Sequence, residues 1–512
     1  MDVFSSIVTS APFIATILVA AAILVVDFIF PGRKGPALIA SFLGLALVAV
    51  LVVVTARDCG GAGCEAWGIG SRGAYVVDPL TTFLDLLFIS IVALTLLFAP
   101  DYLEERGLPV PEFAAIIVFA MSGAMLLAAS ADLLVMFLGL ELMVLPGYIL
   151  AGYHKSDGFS TEGAIKYFLL GSFSSAIFLF GLAFVWGMTG TTSIDGVFGF
   201  MGQIQAGALP LTPGLGMGLA FLVTGVAFKI AAVPFHYWTP DAYQGSPTPV
   251  TGYLSVGPKV GAFALIIRLF AEALGPLAVQ WDIVFIVLAA LTMTLGNLVA
   301  LQQDNVKRML AYSSIAHTGY MLVGFAAFGA GNLRGMEGLL YYGAAYAAMN
   351  LGAFAVIAAL QKRPGITSNL TTFAGLVRRE PALAWLMTLF MLSLTGIPPL
   401  AGFFGKFYVI LAAVEVGQST SPLAGWLTAL AILTMLNATV AAFYYLRVVV
   451  YMFMREPGEE LPTLRHGRLV WGGLAISTVL TVILGLFPNI LLTIVGEAAA
   501  VFSEAARVAA GS

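Results

Sequence analysis

The sequence predicts an all-α, polytopic membrane protein with about fourteen transmembrane helices, and three observations support this fold class. Of the 512 residues, 60% are hydrophobic and only 10% are charged, whereas soluble globular proteins carry about 25% charged residues. The apolar residues form long continuous runs and do not alternate with polar ones, which disfavours a β-barrel. The net charge of −4 provides no basic face for nucleic acid. The composition therefore excludes a soluble enzyme, a disordered chain and a nucleic-acid-binding protein.

The apolar runs give the number of membrane spans, because a spanning helix needs about 20 predominantly apolar residues. Fourteen stretches qualify: 9–30, 36–55, 79–99, 111–130, 132–153, 161–188, 214–238, 249–273, 281–300, 308–330, 335–360, 382–414, 424–453 and 469–494. The first has no basic segment before it and no small-residue cleavage site after it, so we expect a retained helix and not a signal peptide. The polar stretches 56–78, 189–213, 361–381 and 454–468 are predicted to be loops.

Loop charges predict the orientation of these spans. One set of alternate loops holds thirteen cations: Arg33, Lys34, Arg106, Lys155, Lys307, Arg308, Lys362, Arg363, Arg378, Arg379, Arg455, Arg465 and Arg468. The other side, with both termini, holds four: Arg57, Arg72, Arg334 and Arg507. Since positive loops stay in the cytoplasm, we expect both termini outside. Cys59 and Cys64 would then face an oxidising compartment that permits a disulfide, although the sequence leaves the pairing open. Two cysteines cannot hold an iron–sulfur cluster.

Several charged residues lie within the predicted spans, where each costs about 2.5–3.5 kcal/mol if it meets lipid. They are Glu141, Lys166, Lys229, Lys259, Arg268, Lys406 and Arg447. Arg268 and Arg447 lie near span ends, where a long side chain can reach the interface. Lys166 is five residues into its span, and its side chain could also reach the membrane interface. Lys259 and Glu141 are at mid-span, so a functional role is the default interpretation.

Two of the lysines adjoin predicted breaks in their helices. Lys229 precedes Pro234, and Lys406 follows the segment 396–402, which contains Pro398 and Pro399. Proline interrupts helical hydrogen bonding, and irregular backbone at membrane depth is tolerated only within protein or along a water-filled cavity. Paired interruptions are typical of transporters built from repeats. We therefore predict two inverted five-helix repeats in which the seventh and twelfth helices are broken.

The buried charges suggest a proton relay. Burial disfavours the charged form of a lysine, so its pKa falls from about 10.4 towards neutral, and a nearby carboxylate raises it again. We predict that Glu141 and Lys229 form such a pair, that Lys259 and His236 pass the proton on, and that Lys406 is the exit group. His317 either joins the relay or simply bonds the hydroxyls of Ser313, Ser314 and Thr318. No NAD or ATP motif is present, so the energy must come from an ion gradient or a partner.

Three segments carry a resemblance to a known family. They are 229–250 (KIAAVPFHYWTPDAYQGSPTPV), 305–317 (NVKRMLAYSSIAH) and 402–407 (GFFGKF), together with Gly257-Pro258-Lys259. The chain resembles the antiporter-like membrane subunits of bacterial respiratory complex I over nearly its whole length, and subunit N most. The resemblance implies an N-terminal three-helix segment (1–110), two antiporter-like halves (111–273 and 281–453), and a final helix with a short outward tail (469–512).

The resemblance also implies roles and partners. The family pairs a glutamate on the fifth span with a lysine on the broken seventh, and continues through lysines on the eighth and the broken twelfth. These positions are Glu141, Lys229, Lys259 and Lys406. The chain would translocate protons in the bacterial inner membrane beside other membrane subunits, including neighbouring antiporter-like ones. It would hold no cofactor or metal, because NADH, FMN, iron–sulfur clusters and quinone are expected on partner subunits.

Two other functions remain open from the sequence. A subunit of a multi-subunit sodium/proton antiporter shares the fold and the lysines, and the segment 243–250 favours complex I over it. An inert membrane scaffold would not depend on the buried charges at all.

Overall fold

The computed structural model describes residues 3–60, 63–68, 73–363, 365–457 and 465–503. Twenty α-helices lie in these ranges: α1 Val3–Thr9, α2 Ala11–Ile29, α3 Lys34–Cys59, α4 Pro79–Glu105, α5 Val110–Ala128, α6 Leu133–Ala151, α7 Gly158–Thr189, α8 Ile194–Gln205, α9 Pro213–Lys229, α10 Trp238–Gly245, α11 Thr248–Ile266, α12 Ala278–Ala300, α13 Val306–Gly329, α14 Leu333–Gln361, α15 Leu376–Arg379, α16 Pro381–Thr395, α17 Ala401–Gly417, α18 Ala424–Met454, α19 Arg468–Leu486 and α20 Pro488–Ala500. A π-helical segment, Ile267–Ala273, continues α11.

The prediction of an all-α, polytopic membrane protein is confirmed. Among the described residues, eleven helices are long and apolar enough to cross a membrane. The predicted seventh and twelfth spans are each divided into two helices, α9 with α10 and α16 with α17. The remaining predicted span is α13, which has 24 residues but carries lysine, arginine, histidine and serines. These elements account for the fourteen stretches read from the sequence.

The predicted loops contain more structure than expected. Within 56–78, strands β1 Cys64–Gly68 and β2 Gly73–Val77 form an antiparallel hairpin. A disulfide joins Cys59 at the end of α3 to Cys64 at the start of β1. The stretch 189–213 contains α8, which buries Ile194, Val197 and Met201 along one face. The last predicted span divides at Pro488, because proline lacks the N–H that would continue α19.

The centre of the molecule consists of α11, α13 and α14. Every residue of α11 is buried, and 94% of the most apolar window of α14 is buried. By contrast, only a third of the corresponding window of α18 is buried. Close packing at the centre depends on small residues, since a Cβ on Gly319 of α13 would lie 2.5 Å from the Met293 nitrogen of α12. Lys259 therefore lies on a helix, α11, that has no exposed residue.

Candidate functional site

Lys229 occupies the last turn of α9, directly before the break. Its Nζ donates to the Ser175 Oγ at 2.8 Å and to the Gly171 carbonyl at 3.4 Å, both on α7. The helix ends here because Pro234 cannot supply an N–H and disfavours helical backbone before it. In the break, Ala231 has a φ of +58° and the Val233–Pro234 peptide is cis. The C-terminal end of α9 carries partial negative charge, which favours an ammonium group at this position.

Glu141 lies on α6, which packs against α7, the helix that bonds Lys229. Among the described residues no ion pair within 4 Å joins the two side chains, and the predicted pair of a lysine with a nearby carboxylate stays a prediction. Glu141 Oε1 is buried and has no hydrogen-bond partner in the described ranges. The acid and the amine therefore do not touch, and Ser175 is a direct partner of Lys229.

Lys259 is held on α11 by oxygen atoms of α13. Its Nζ donates to the Ser314 carbonyl at 2.8 Å, the Ser314 Oγ at 2.7 Å and the Thr318 Oγ1 at 3.1 Å. The Thr318 hydroxyl in turn lies 3.0 Å from the carbonyl oxygen of Ile230, the residue after Lys229. One hydroxyl group thus connects Lys259 to the break in α9.

His317 on α13 is bonded by two tyrosines. Its Nδ1 lies 2.7 Å from the Tyr342 hydroxyl of α14, and its Nε2 lies 3.0 Å from the Tyr445 hydroxyl of α18. The alternative in which His317 bonds the hydroxyls of Ser313, Ser314 and Thr318 is therefore wrong. Among these, Ser313 bonds Tyr445 instead. Ser314 and Thr318, which bond Lys259, lie on the same helix as His317. Tyr320, whose ring centroid is 5.1 Å from Lys406 Nζ, packs edge-on against the imidazole at 5.8 Å. His317 therefore lies near both lysines.

Lys406 on α17 contacts the C-terminal end of α16, the other helix of the same broken span. Its Nζ donates to the carbonyl oxygens of Leu394 at 2.9 Å and Thr395 at 2.7 Å, in the last turn of α16. The same Nζ lies 5.1 Å from the centroid of the Tyr320 ring. The carbonyls at a helix C-terminus attract a cation. Both broken spans thus place a lysine at a helix C-terminus inside the protein.

The three central lysines share one property. Lys229, Lys259 and Lys406 are 6%, 1% and 5% exposed. Among the described residues, the hydrogen-bond acceptors of their Nζ atoms are neutral hydroxyl or carbonyl oxygens. Neutral oxygens stabilise the protonated amine, but less strongly than a contacting carboxylate would. The lysine can therefore lose its proton more easily. Together with Glu141 and His317 we call them the lysine row.

The turn after α16 requires glycine at 396. Gly396 has a φ of +94°, and a Cβ there would lie 3.1 Å from Lys406 Cδ and 3.4 Å from its Nζ. We expect Gly396→Ala to destabilise the protein by about 1–2 kcal/mol, the cost of a left-handed backbone for a residue with a Cβ. We also expect slower proton uptake, since the Lys406 side chain must move.

Thermal unfolding of the purified protein and vesicle proton uptake measure the two effects. Gly472→Ala on α19 is the control, because nothing lies within 4 Å of its Cβ position. Equal stability and uptake for both variants would show that the turn does not position Lys406.

Two predicted site residues lie outside the lysine row. Lys166 is 43% exposed at its side chain and forms ion pairs of 2.7 Å with Glu162 and Asp241, and Asp241 also pairs with Arg308. His236 is buried in the α9–α10 break, stacked on Tyr237. Its Nδ1 has no hydrogen-bond partner in the described part of the chain. Lys166 therefore belongs to a surface ionic network.

Sequence reasoning missed a buried ionic cluster around Arg268. The prediction that Arg268 reaches the interface is wrong, because its side chain is fully buried. It pairs with Asp78 at 2.8 Å and Glu272 at 3.0 Å and donates to the Ala128 carbonyl at 2.8 Å. Arg447, by contrast, is 20% exposed and donates to the carbonyl of Leu301.

Two further buried acids lack hydrogen-bond partners within the ranges that the structure describes: Asp85 at its Oδ1, and Asp282 at both carboxylate oxygens. The signal for Asp282 was an acid inside the apolar run 281–300. Among the described residues, no group of three or more His, Cys, Asp or Glu side chains could hold a metal ion.

Comparison with known proteins gives the family. Residues 130–443 match the family model described as "NADH:quinone oxidoreductase/Mrp antiporter, TM". NADH-quinone oxidoreductase subunit N of Trichlorobacter lovleyi is 40% identical over 480 residues, covering 90% of this chain and 96% of the relative. The subunit N of Chloroflexus aggregans is 42% identical over 484 residues, covering 93% and 94%. The chain belongs to the NADH-quinone oxidoreductase subunit N family.

Solved structures share the fold of this subunit N family member. A chain of respiratory complex I from Thermus thermophilus with bound aureothin superposes with a TM-score of 0.75 at 31% identity, covering 94% of this chain and 98% of that one. A chain of the Mrp complex from Dietzia sp. DQ12-45-1b reaches 0.78 at 22% identity, over 99% of each chain. The latter likeness shows the fold alone. The family match of 130–443 spans the whole lysine row but not Asp78.

Proposed function

We propose that the chain is a proton-translocating membrane subunit of NADH:quinone oxidoreductase. Protons move along the lysine row, from Glu141 and Lys229 through Lys259 and His317 to Lys406. NADH oxidation and quinone reduction take place on other subunits, and this chain holds no redox centre. The observation that carries the proposal is the burial of three lysines on neutral oxygens, because such amines can gain and lose a proton at modest cost.

The proposed order of transfer follows the contacts. Thr318 bridges Lys259 to the carbonyl of Ile230 beside Lys229, and His317 lies near Lys259 and Lys406 with a tyrosine hydroxyl on each ring nitrogen. A histidine with two hydroxyl partners can accept a proton on one nitrogen and release another from the opposite one. Each half, 111–273 and 281–453, then contributes one broken helix with a lysine at its break.

A polar cavity supports proton access from the side with the basic loops. It has a volume of about 360 Å³ and is lined by residues including Arg106, His154 and Lys307. The buried Lys307 Nζ donates to the Ser246 carbonyl at 2.6 Å, and the Ser246 Oγ lies 2.9 Å from the Thr251 Oγ1. Water in this cavity would thus meet a series of hydroxyls that continues along α11 towards Lys259.

The proposed setting is the bacterial inner membrane, with both termini outside and neighbouring membrane subunits as partners. The asymmetry of the loop cations supports this orientation. The Cys59–Cys64 disulfide supports it independently, because disulfides persist on the oxidising side of a membrane.

Glu141→Ala and Lys229→Ala test the function. NADH-driven proton uptake by inverted membrane vesicles should fall strongly in both variants, because each removes a group of the row. The complex should still assemble, and NADH oxidation by an artificial electron acceptor, which bypasses quinone reduction, should remain.

Two outcomes would contradict the proposal. Unchanged NADH-driven proton uptake in both variants would show that the chain acts as a structural scaffold and does not carry protons. Sodium-gradient-driven proton movement without NADH, lost in both variants, would instead identify a sodium/proton antiporter subunit. The relatives at 40–42% identity favour the oxidoreductase over that alternative.

A further inference from the structure

An apolar cavity of about 590 Å³ lies on the other side of α14 from the lysine row. We call it the α4 groove, because one face of α4 lines it from Asp78 to Leu94. The other walls come from α3, α14, α19 and α20. On α14 the lining residues are alanines, among them Ala347 and Ala348, whose small side chains leave the space open. The groove shares no lining residue with the lysine row.

The shape of the α4 groove limits what it can hold. From Pro79 to Leu94 the groove follows α4 for about 22 Å, at 1.5 Å per residue. The groove is elongated along one helix and its lining is mainly apolar, as a site for one extended acyl chain requires. Its length exceeds one leaflet of a hydrocarbon core about 30 Å thick.

The mouth of the groove carries two opposite charges. Arg57 at the end of α3 and Glu497 on α20 both line it, and both side chains are exposed. Neither forms an ion pair with another residue in the described part of the chain. Asp78, which also lies at the mouth, is already paired with Arg268. A free guanidinium and a free carboxylate together complement a phosphate and an ammonium, which occur in the headgroup of phosphatidylethanolamine.

We propose that the α4 groove binds one phosphatidylethanolamine molecule. An acyl chain lies along α4, the phosphate is at Arg57, and the ammonium is at Glu497. The charged mouth lies at the end of α4 that carries the disulfide-linked hairpin, and the lining towards Leu94 is uncharged and mainly apolar, as a lipid in one leaflet requires.

The bound acyl chain would pack against the face of α14 that is opposite the lysine row. Tyr342, Tyr346 and Asn350 project from one face of α14 towards His317 and Ser255. Ala344, Ala347 and Ala348 project from the opposite face into the groove. An acyl chain packed on those alanines fills the space behind the helix that positions the Tyr342 hydroxyl.

Photolabelling of the assembled complex tests the site. The complex is reconstituted in nanodiscs that contain phosphatidylethanolamine with a diazirine in the acyl chain, and labelled peptides are mapped by mass spectrometry. We expect labels on α4 and on the alanine face of α14. Ser90→Trp fills the groove from α4, where Ser90 is exposed and bonds only the Leu86 carbonyl. It should lower labelling of α14 by about fivefold or more, a loss of about 1 kcal/mol in binding.

Thr439→Trp is the matched control, since Thr439 is likewise exposed at mid-helix, on α18, and bonds the carbonyl four residues earlier. Arg57→Gln should weaken labelling by every phospholipid probe. Glu497→Gln should remove only the preference for phosphatidylethanolamine over a phosphatidylglycerol probe with the same acyl chain. Equal labelling in Ser90→Trp and Thr439→Trp would overturn the site. So would a map of the complex that shows the groove filled by side chains of a partner subunit.

Discussion

We expect Lys259→Met to reduce NADH-driven proton uptake to background while the complex still assembles. Lys259 lies between the break of α9 and His317, and its Nζ is bonded by Ser314 and Thr318. Serine and threonine hydroxyls do not titrate in the accessible pH range, so no neighbour can take over the proton. Methionine keeps most of the side-chain volume, which limits structural damage. Proton uptake by inverted vesicles and native electrophoresis of the complex measure the two quantities.

Lys259→Arg separates the need for a charge from the need for a removable proton. Arginine keeps the cation but is not deprotonated in proteins, and its planar guanidinium does not fit a site built for a compact ammonium. Uptake should therefore fall as far as in Lys259→Met. Lys155→Met in the exposed α6–α7 loop controls for the loss of one positive charge. Wild-type uptake in Lys259→Arg would mean that this lysine acts by its charge and that protons pass elsewhere.

The sequence predicted the broken helices well because their cause is local. Proline at 234 and the prolines at 398 and 399 interrupt hydrogen bonding within their own segments, and the structure divides both spans there. The helix α8 and the β-hairpin were missed for a different reason. Both are short, and a twelve-residue helix such as α8 is stabilised by burying one face against distant residues rather than by a long apolar run.

The depth of the site residues could also be predicted, but their partners could not. The position of Lys259 at mid-span follows from counting residues. Its contacts with Ser314 and Thr318 depend on how α11 packs against α13, over 50 residues further along the chain. The error at Arg268 has the same origin, since its partner Asp78 is 190 positions away in sequence. A cation near a span end is compatible with either an interface position or a buried pair, and only packing decides between them.

Arg268→Met should cause the largest loss of stability among single substitutions of the charged residues. Arg268 is fully buried, and Asp78 beside it is 10% exposed at its side chain. Removing one partner of a buried pair leaves an uncompensated charge, which typically costs about 3–5 kcal/mol. We expect a lower unfolding temperature of the purified complex and less of the subunit in membranes. Arg447→Met should have a smaller effect, because that side chain is 20% exposed and bonds backbone carbonyls.

The double variant Arg268→Met with Asp78→Asn shows whether the loss comes from the stranded carboxylate. Asp78 also caps α4 by accepting from the Thr81 N–H at 2.8 Å, and asparagine can keep that bond. Removing the second charge should therefore recover part of the stability lost in the single variant, although Glu272 remains in the cluster. If the double variant is less stable than Arg268→Met, the arginine stabilises the fold through its bonds to Ala128 and Thr81 rather than by neutralising Asp78. The cluster joins α4 to the end of α11, so either result shows how this region holds the helix that carries Lys259.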